Sequence, residues 1–216
     1  GIGKSVKAKS LSPVKPPNLR KRCNDATRQN FCMLTVLITG STDGIGLETA
    51  KRLASAGHRV LLHGRSSLKL KAARDAVPKA AGGYLADLTS MSDVVGLAEA
   101  VSSDYDRLDV LINNAGVLKT AEPRTAEGLD ARFMVNTVAP YVLCRKLLPR
   151  MTEDGRIVNL SSAAQAPIDM AAFTGDLPID DPMDAYAQSK LAITLWSRVM
   201  AEELSAGPTV VAVNPG

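Results

Sequence analysis

From Thr35 onward the chain alternates short apolar runs with longer amphipathic stretches, and this alternation restricts the fold more than any other feature. The apolar runs, at 35–39, 59–63, 83–86, 109–113, 156–160 and 209–213, read as strands; the stretches between them, about 45–56, 67–76, 92–103, 126–148 and 184–204, read as helices. Strands separated by helices feed a parallel sheet with helices on both faces. The expected fold class is therefore α/β, a doubly wound parallel sheet of about six strands. No short repeat or low-complexity run interrupts it.

Residues 1–34 stand apart. They hold eight basic residues and one acid, Asp25, so the net charge of +4 belongs to them; the remainder carries 18 basic and 21 acidic residues. With Pro13, Pro16 and Pro17, several serines and no apolar period, this segment is expected to be a disordered basic tail ahead of one domain spanning 35–216. It lacks the apolar stretch of a secretory signal. Organelle targeting, an arm for nucleic acid or an acidic surface, and sequence outside the natural domain are its three readings; a solvated extension without specific function is preferred. No run of about 20 apolar residues exists to cross a bilayer. Cys23, Cys32 and Cys144 are an odd number without a C-x-x-C pair, which argues against a disulfide framework and a zinc site and for a reducing, cytoplasmic setting.

The first strand runs into Thr39-Gly40-Ser41-Thr42-Asp43-Gly44-Ile45-Gly46, and a helix follows. Such a turn needs glycines because the backbone must bend sharply and let a pyrophosphate approach without a Cβ in the way. Amides at the helix start, aided by its dipole, then face the anion. The second strand ends in His63-Gly64-Arg65. A dinucleotide site selective for NAD usually carries an acid there for the ribose 2′-hydroxyl, whereas NADP calls for a cation. Arg65 offers a permanently charged fork suited to phosphate, so NADP is expected over NAD. Asp43 argues mildly the other way, since an acid in the turn repels phosphate.

Tyr186 and Lys190 are four residues apart at the start of a helix and so share a face. A phenol near pKa 10 needs about 4 kcal/mol of phenolate stabilisation to exchange protons at neutral pH, at 1.36 kcal/mol per unit. A cation about 4 Å away supplies that order of energy at an effective dielectric near 20.

With these residues on the page, the sequence resembles the short-chain dehydrogenase/reductase family from about Thr35 to Gly216. The motifs fall in family order: the turn 39–46, Asp87-Leu88, Asn113-Asn114-Ala115-Gly116, Asn136 in a long helix, Asn159-Leu160-Ser161-Ser162 after the fifth strand, Tyr186 with Lys190, and Asn214-Pro215-Gly216. The resemblance implies a Rossmann-type fold and hydride transfer between a nicotinamide cofactor and a carbonyl or alcohol carbon, as in a carbonyl reductase. It assigns Tyr186 as general acid and base, and Ser162, with Ser161 as the fallback, as donor to the substrate oxygen. Lys190 tunes Tyr186 and binds the nicotinamide ribose, and Asn136 holds a proton-relaying water. The cofactor residues it implies are Gly40, Ser41, Thr42, Asp43, Gly44, Ile45, Gly46, Arg65, Asp87, Leu88, Asn113, Ala115, Gly116, Tyr186, Lys190, Pro215 and Gly216. It further implies a small-molecule substrate and a homo-oligomer paired through the long helices containing Asn136 and Tyr186.

Other reactive types read as structural. His58 and His63 lack partners at ligand or triad spacing, Cys144 lies on an apolar stripe, and Leu191, Leu195 and Met200 read as core. Two departures from the family remain. The 23 residues between Ser162 and Tyr186 exceed the shortest relatives and are acidic and proline-containing, akin to the retinol-dehydrogenase-like branch. The chain also ends where relatives continue into a mobile substrate segment and a seventh strand, so it is expected to be incomplete at its C-terminus, binding cofactor weakly. A catalytically weak or inactive nucleotide-binding module is accordingly the alternative to an active enzyme.

Overall fold

The computed structural model describes residues 33–215; nearly all of the segment read as a tail, with Cys23 and Cys32, lies outside them, as does Gly216. Six strands form one sheet in the order β3-β2-β1-β4-β5-β6, every adjacent pair parallel. They are β1 (Thr35–Ile38), β2 (Arg59–Gly64), β3 (Gly82–Leu85), β4 (Leu108–Asn113), β5 (Met151–Leu160) and β6 (Thr209–Val213). The central strand β1 is buried throughout, as a strand covered on both faces must be. The order reverses between β1 and β4. In open α/β sheets that switch point opens a crevice beyond the strands' carboxyl ends, where ligands bind.

Helices α1 (Gly44–Ser55) and α2 (Ser67–Ala76) cover one face, where Val36, Ile38, Val60 and Leu62 pack with Ala50, Ala54, Leu70 and Ala73. On the other face α3 (Met91–Asp104), α5 (Ala139–Leu147) and α7 (Pro182–Glu203) enclose Leu37, Leu61, Leu111 and Ile157. Side-chain caps start these helices: Asp43 for α1, Ser66 for α2, Ser90 for α3 and Asp181 for α7 each accept a first-turn amide.

Three expectations need correction. The helix read over 126–148 begins only at α4 (Ala131–Phe133), after a turn closed by the Arg124–Asp130 bridge, and passes through a π-helical turn, Met134–Val138, before α5. Pro140 has no N–H to give the Asn136 carbonyl, and just before it Ala139 N bonds Met134 O in the wider register. Leu195 is exposed rather than core, because the inward stripe of α7 is Ala192, Ile193, Ser197 and Met200. The segment between Ser162 and Tyr186 is not bare loop: it contains α6 (Met170–Thr174), capped by Asp169.

Candidate functional site

Two adjoining clefts open at the switch point, sharing Asn114, Gly116 and Val117 in their walls. The first, about 430 Å³, is lined by the glycine turn, the end of β2 with Arg65, and Ala86, Asp87 and Leu88 beyond β3. The second, about 380 Å³, is lined by Ile45, Ser161, Tyr186, Lys190 and Pro215 among others. Both volumes lie in the range of small-molecule sites.

The turn is held from beneath. Gly40 has φ +62°, and a Cβ there would sit 2.8 Å from Ala115 Cα, so conformation and space both demand glycine. Its carbonyl accepts from Asn114 Nδ2 at 2.9 Å and its N–H donates to His63 Nδ1 at 3.0 Å. Thr39 Oγ1 accepts the amides of Asn114 and Ala115, tying β1 to β4. Ser41, expected to touch cofactor, is fully buried, and its amide and hydroxyl bond the His63 main chain. Gly46 lines neither cleft; a Cβ on it would meet Gly40 O and Asn114 Nδ2. Thr42, Asp43 and Gly44 do line the first cleft, and Ile45 the second.

Asp43 accepts from Gly44 N at 2.8 Å and pairs with Lys69 at 3.4 Å; both interactions hold its carboxyl below the usual carboxylate range. The amides of Ile45 and Gly46 are then those the first helical turn leaves without intrahelical acceptors. Lys69 is a residue the sequence reading missed. It lies four positions after Arg65 and lines the same cleft, a spacing that could have flagged it.

Asn113 does not reach the cleft. It is buried between strands and helix, donating to Asn159 Oδ1 at 2.8 Å and Cys144 Sγ at 3.4 Å, while its neighbour Asn114 lines both clefts. Cys144 is buried there, its thiol pushed up to about 12 by desolvation. His58 accepts the Leu34 amide. Asp87, Leu88, Ala115 and Gly116 all line the first cleft, and Asp87 bonds Thr89 through its carboxylate.

In the second cleft Lys190 is 4% exposed, donates to Leu160 O at 2.6 Å, and sits 5.6 Å from the Tyr186 ring centroid. Burial alone lowers its ammonium to about 8. Asn136 is fully buried; its amide grips the Val117 main chain at 2.8 and 2.9 Å and donates to Ser189 Oγ. A Cβ on Gly116 would lie 3.4 Å from Asn136 Oδ1 and 3.5 Å from Lys190 Nζ, so the three residues adjoin. The two serines diverge. Ser161 lines the cleft, yet its hydroxyl is engaged with Lys190 O and Thr194 Oγ1 on α7. Ser162 Oγ accepts from Ala164 N, which leaves its own proton to donate.

The segment from Ser162 to α7 is tied down at three points. Asp169 N donates to Gln188 Oε1, Phe173 packs edge-on against Phe133 with centroids 5.0 Å apart, and Arg124 donates to the Gly128 and Gly175 carbonyls at 2.6 and 2.7 Å. The buried ion pair of Arg132 with Asp130 lines a groove together with Gly175, Leu177 and Ile179 of this segment.

Among the described residues no helix is long and apolar enough to cross a membrane, and no group of three His, Cys, Asp or Glu is positioned to hold a metal ion.

Residues 34–216 match the family model described as short chain dehydrogenase. Retinol dehydrogenase 13 of Mus musculus is 33% identical over 193 residues, covering 84% of this chain and 58% of its own length. Short-chain dehydrogenase chyC of Penicillium rubens is 35% identical over 85% of this chain and 71% of its own. A metagenomic short-chain oxidoreductase solved in complex with NADP is 31% identical with a TM-score of 0.67, covering 85% of this chain and 82% of that one. The chain thus spans under two thirds of the length of the retinol dehydrogenase it matches.

Proposed function

The chain belongs to the short-chain dehydrogenase family, and from that premise we propose that it is an NADP-dependent oxidoreductase interconverting a carbonyl and an alcohol. The observation that carries this reading is the buried Lys190 ammonium beside the Tyr186 ring, in a cleft continuous with the glycine turn. The residues fit a dinucleotide. Helix α1 directs its first-turn amides toward the bend, Gly44 has open space where a Cβ would stand, and Arg65 and Lys69 line the adenosine end. When bound, the nicotinamide exchanges hydride with the substrate carbon.

The chain's own groups handle the proton. Tyr186 gives its phenolic proton to the carbonyl oxygen during reduction and takes it back during oxidation. Lys190, held by Leu160 O, keeps a positive charge against the phenolate at neutral pH, below its depressed pKa of about 8. Ser162 donates to the substrate oxygen as negative charge develops, with Ser161 as the alternative donor. Asn136 fixes the Val117 wall and carries the proposed proton-relaying water. Asp87, Leu88, Ala115 and Gly116 border the adenosine, and Pro215 the nicotinamide.

The names of the retinol dehydrogenases and the apolar wall of Val117, Leu118 and Leu160 favour an apolar aldehyde or alcohol as substrate. Pairing of two copies through α5 and α7 is supported by the exposure of Tyr141, Leu195 and Val199 on those helices. Consumption of NADPH by the purified chain with a panel of aldehydes, ketones and quinones, retinal included, tests the reading. Turnover with any of them supports it. Binding without turnover favours the second reading, a nucleotide-binding module. Arg65→Ala should cost about tenfold in NADPH affinity, ~1.4 kcal/mol, and little in NADH affinity, as paired titrations would read.

A further inference from the structure

The imidazole of His63 is 2% exposed and stands under the glycine turn with both nitrogens engaged. Nδ1 accepts the Gly40 amide at 3.0 Å, and Nε2 lies 3.2 Å from Ala86 O on the opposite wall of the first cleft. A carbonyl only accepts, so the ring is the neutral tautomer with its proton on Nε2. The main chain of the same residue accepts from Ser41 N at 2.9 Å and donates to Ser41 Oγ at 2.9 Å. One residue therefore grips two successive peptides of the bend.

We propose that His63 is the positioning residue of the dinucleotide turn: its neutral imidazole fixes the Gly40 peptide and ties the bend to the adenosine wall at Ala86. This rests on the dinucleotide reading above and adds to it a residue outside the phosphate-contacting set. Gly40 sits in the left-handed region, where glycine alone has freedom to rotate, so its peptide needs an acceptor to stay put. Without Nδ1 the part-buried amide loses its hydrogen bond, a costly state that rotation of the peptide toward the cleft relieves. Rotation would also withdraw the Thr39 carbonyl, which shares that peptide plane, from Asn114 Nδ2 at 2.9 Å.

A protonated ring would turn a donor toward the Gly40 donor. The charged groups around it are Asp87 beyond β3, Arg65 after β2, Asp43 at the start of α1 and Lys69 on α2, all lining the same cleft. Burial outweighs the attraction of Asp87 and lowers the imidazole from 6.5 to about 4. The unfolded chain thus binds the proton more readily, and stability contributed by neutral His63 is lost as pH falls from about 6.5 through about 4.

His63→Leu keeps volume and removes both bonds; His63→Gln offers an acceptor and a donor that do not titrate. Thermal melting against pH, titration with NADP at neutral pH, and hydrogen exchange of peptide 39–46 without cofactor form the test. The expected results are an NADP dissociation constant raised about tenfold or more in His63→Leu but within about threefold of the parent in His63→Gln, by the usual affinity scale. Turn exchange should be faster in His63→Leu, and part of the parent's acid-side loss of stability should vanish in His63→Gln. Unchanged affinity and exchange in His63→Leu, or an undiminished acid-side loss in His63→Gln, would overturn the proposal. If His63→Leu does not fold, the pH profile and turn exchange of His63→Gln decide. If no variant and not the parent binds NADP, the dinucleotide reading fails, while turn exchange still tests whether His63 holds the bend.

Discussion

The two halves of the sheet are finished differently. Around β1, β2 and β3, helices α1 and α2 close one face and α3 the other, and Val36, Ile38, Val60, Leu61 and Leu62 are all but inaccessible. Among the described residues, β5 and β6 are closed only on the α5 and α7 face. The packing under α1 reaches Val110 and Ile112, and beyond them Val158 and Leu160 are half-buried while Val211 and Val213 stay 40% and 36% exposed. A groove of about 450 Å³ runs along this margin between Leu34, Leu53, Val110 and Val158, rimmed by Arg107, Asp154 and Arg156. The half that carries the glycine turn is thus braced on both sides. Among the described residues, the half that carries Tyr186 and Lys190 depends on one helical layer and on the tied segment before α7.

The largest effect expected from this contrast falls in the less braced half. Arg132→Met leaves Asp130, 9% exposed, without its guanidinium partner, and should destabilise the chain by about 3–5 kcal/mol in urea denaturation. A cost near zero would mean that the segment over this pair is not packed against it.

A second test sets one titrating group of each half against the other. Lys190, lowered from 10.5 to about 8, is penalised as a cation. The unfolded chain holds that proton more tightly, so stability should rise as pH increases from about 8 to about 10.5, by up to ~3 kcal/mol at 1.36 kcal/mol per unit. His63 makes the matching contribution on the acid side. Lys190→Met should remove the alkaline rise and leave the acid-side loss unchanged, as melting curves against pH would reveal. A parent and variant with parallel alkaline profiles would place the ammonium in water.

The smallest effect concerns the open face itself. Val211→Lys on β6 should change stability by no more than about 0.5 kcal/mol if that face meets solvent. A loss well above ~1 kcal/mol would show that something covers it.

The same contrast explains what could be read from the sequence. The parallel sheet, the bend at Gly40 and the Tyr186–Lys190 spacing are written in neighbouring residues, because a strand, a tight turn and one helical face are local structures. The clefts accordingly collect Thr42, Asp43, Gly44, Arg65, Asp87, Ala115, Tyr186 and Lys190. What was not legible depends on distant partners or on which way a side chain turns. His63 meets an amide 23 residues away, and Arg124 holds a carbonyl 51 residues away; backbone partners leave no mark in a sequence. Asn113 and Asn114 are adjacent and alike, yet only the second faces the cleft, since successive positions at a strand end point to opposite sides. Ser161 and Ser162 divide as well, the first hydroxyl held by α7 and the second accepting the Ala164 amide.

The central claim is that Tyr186 relays the substrate proton beside a dinucleotide held in the adjoining cleft. It is tested most directly by NADPH consumption at saturating substrate, measured for the parent and for Tyr186→Phe after NADPH binding by each has been quantified. The account predicts comparable binding and a turnover lower by about 10²- to 10⁴-fold in the variant, the range of general acid–base catalysis. Equal turnover by the two proteins would contradict it.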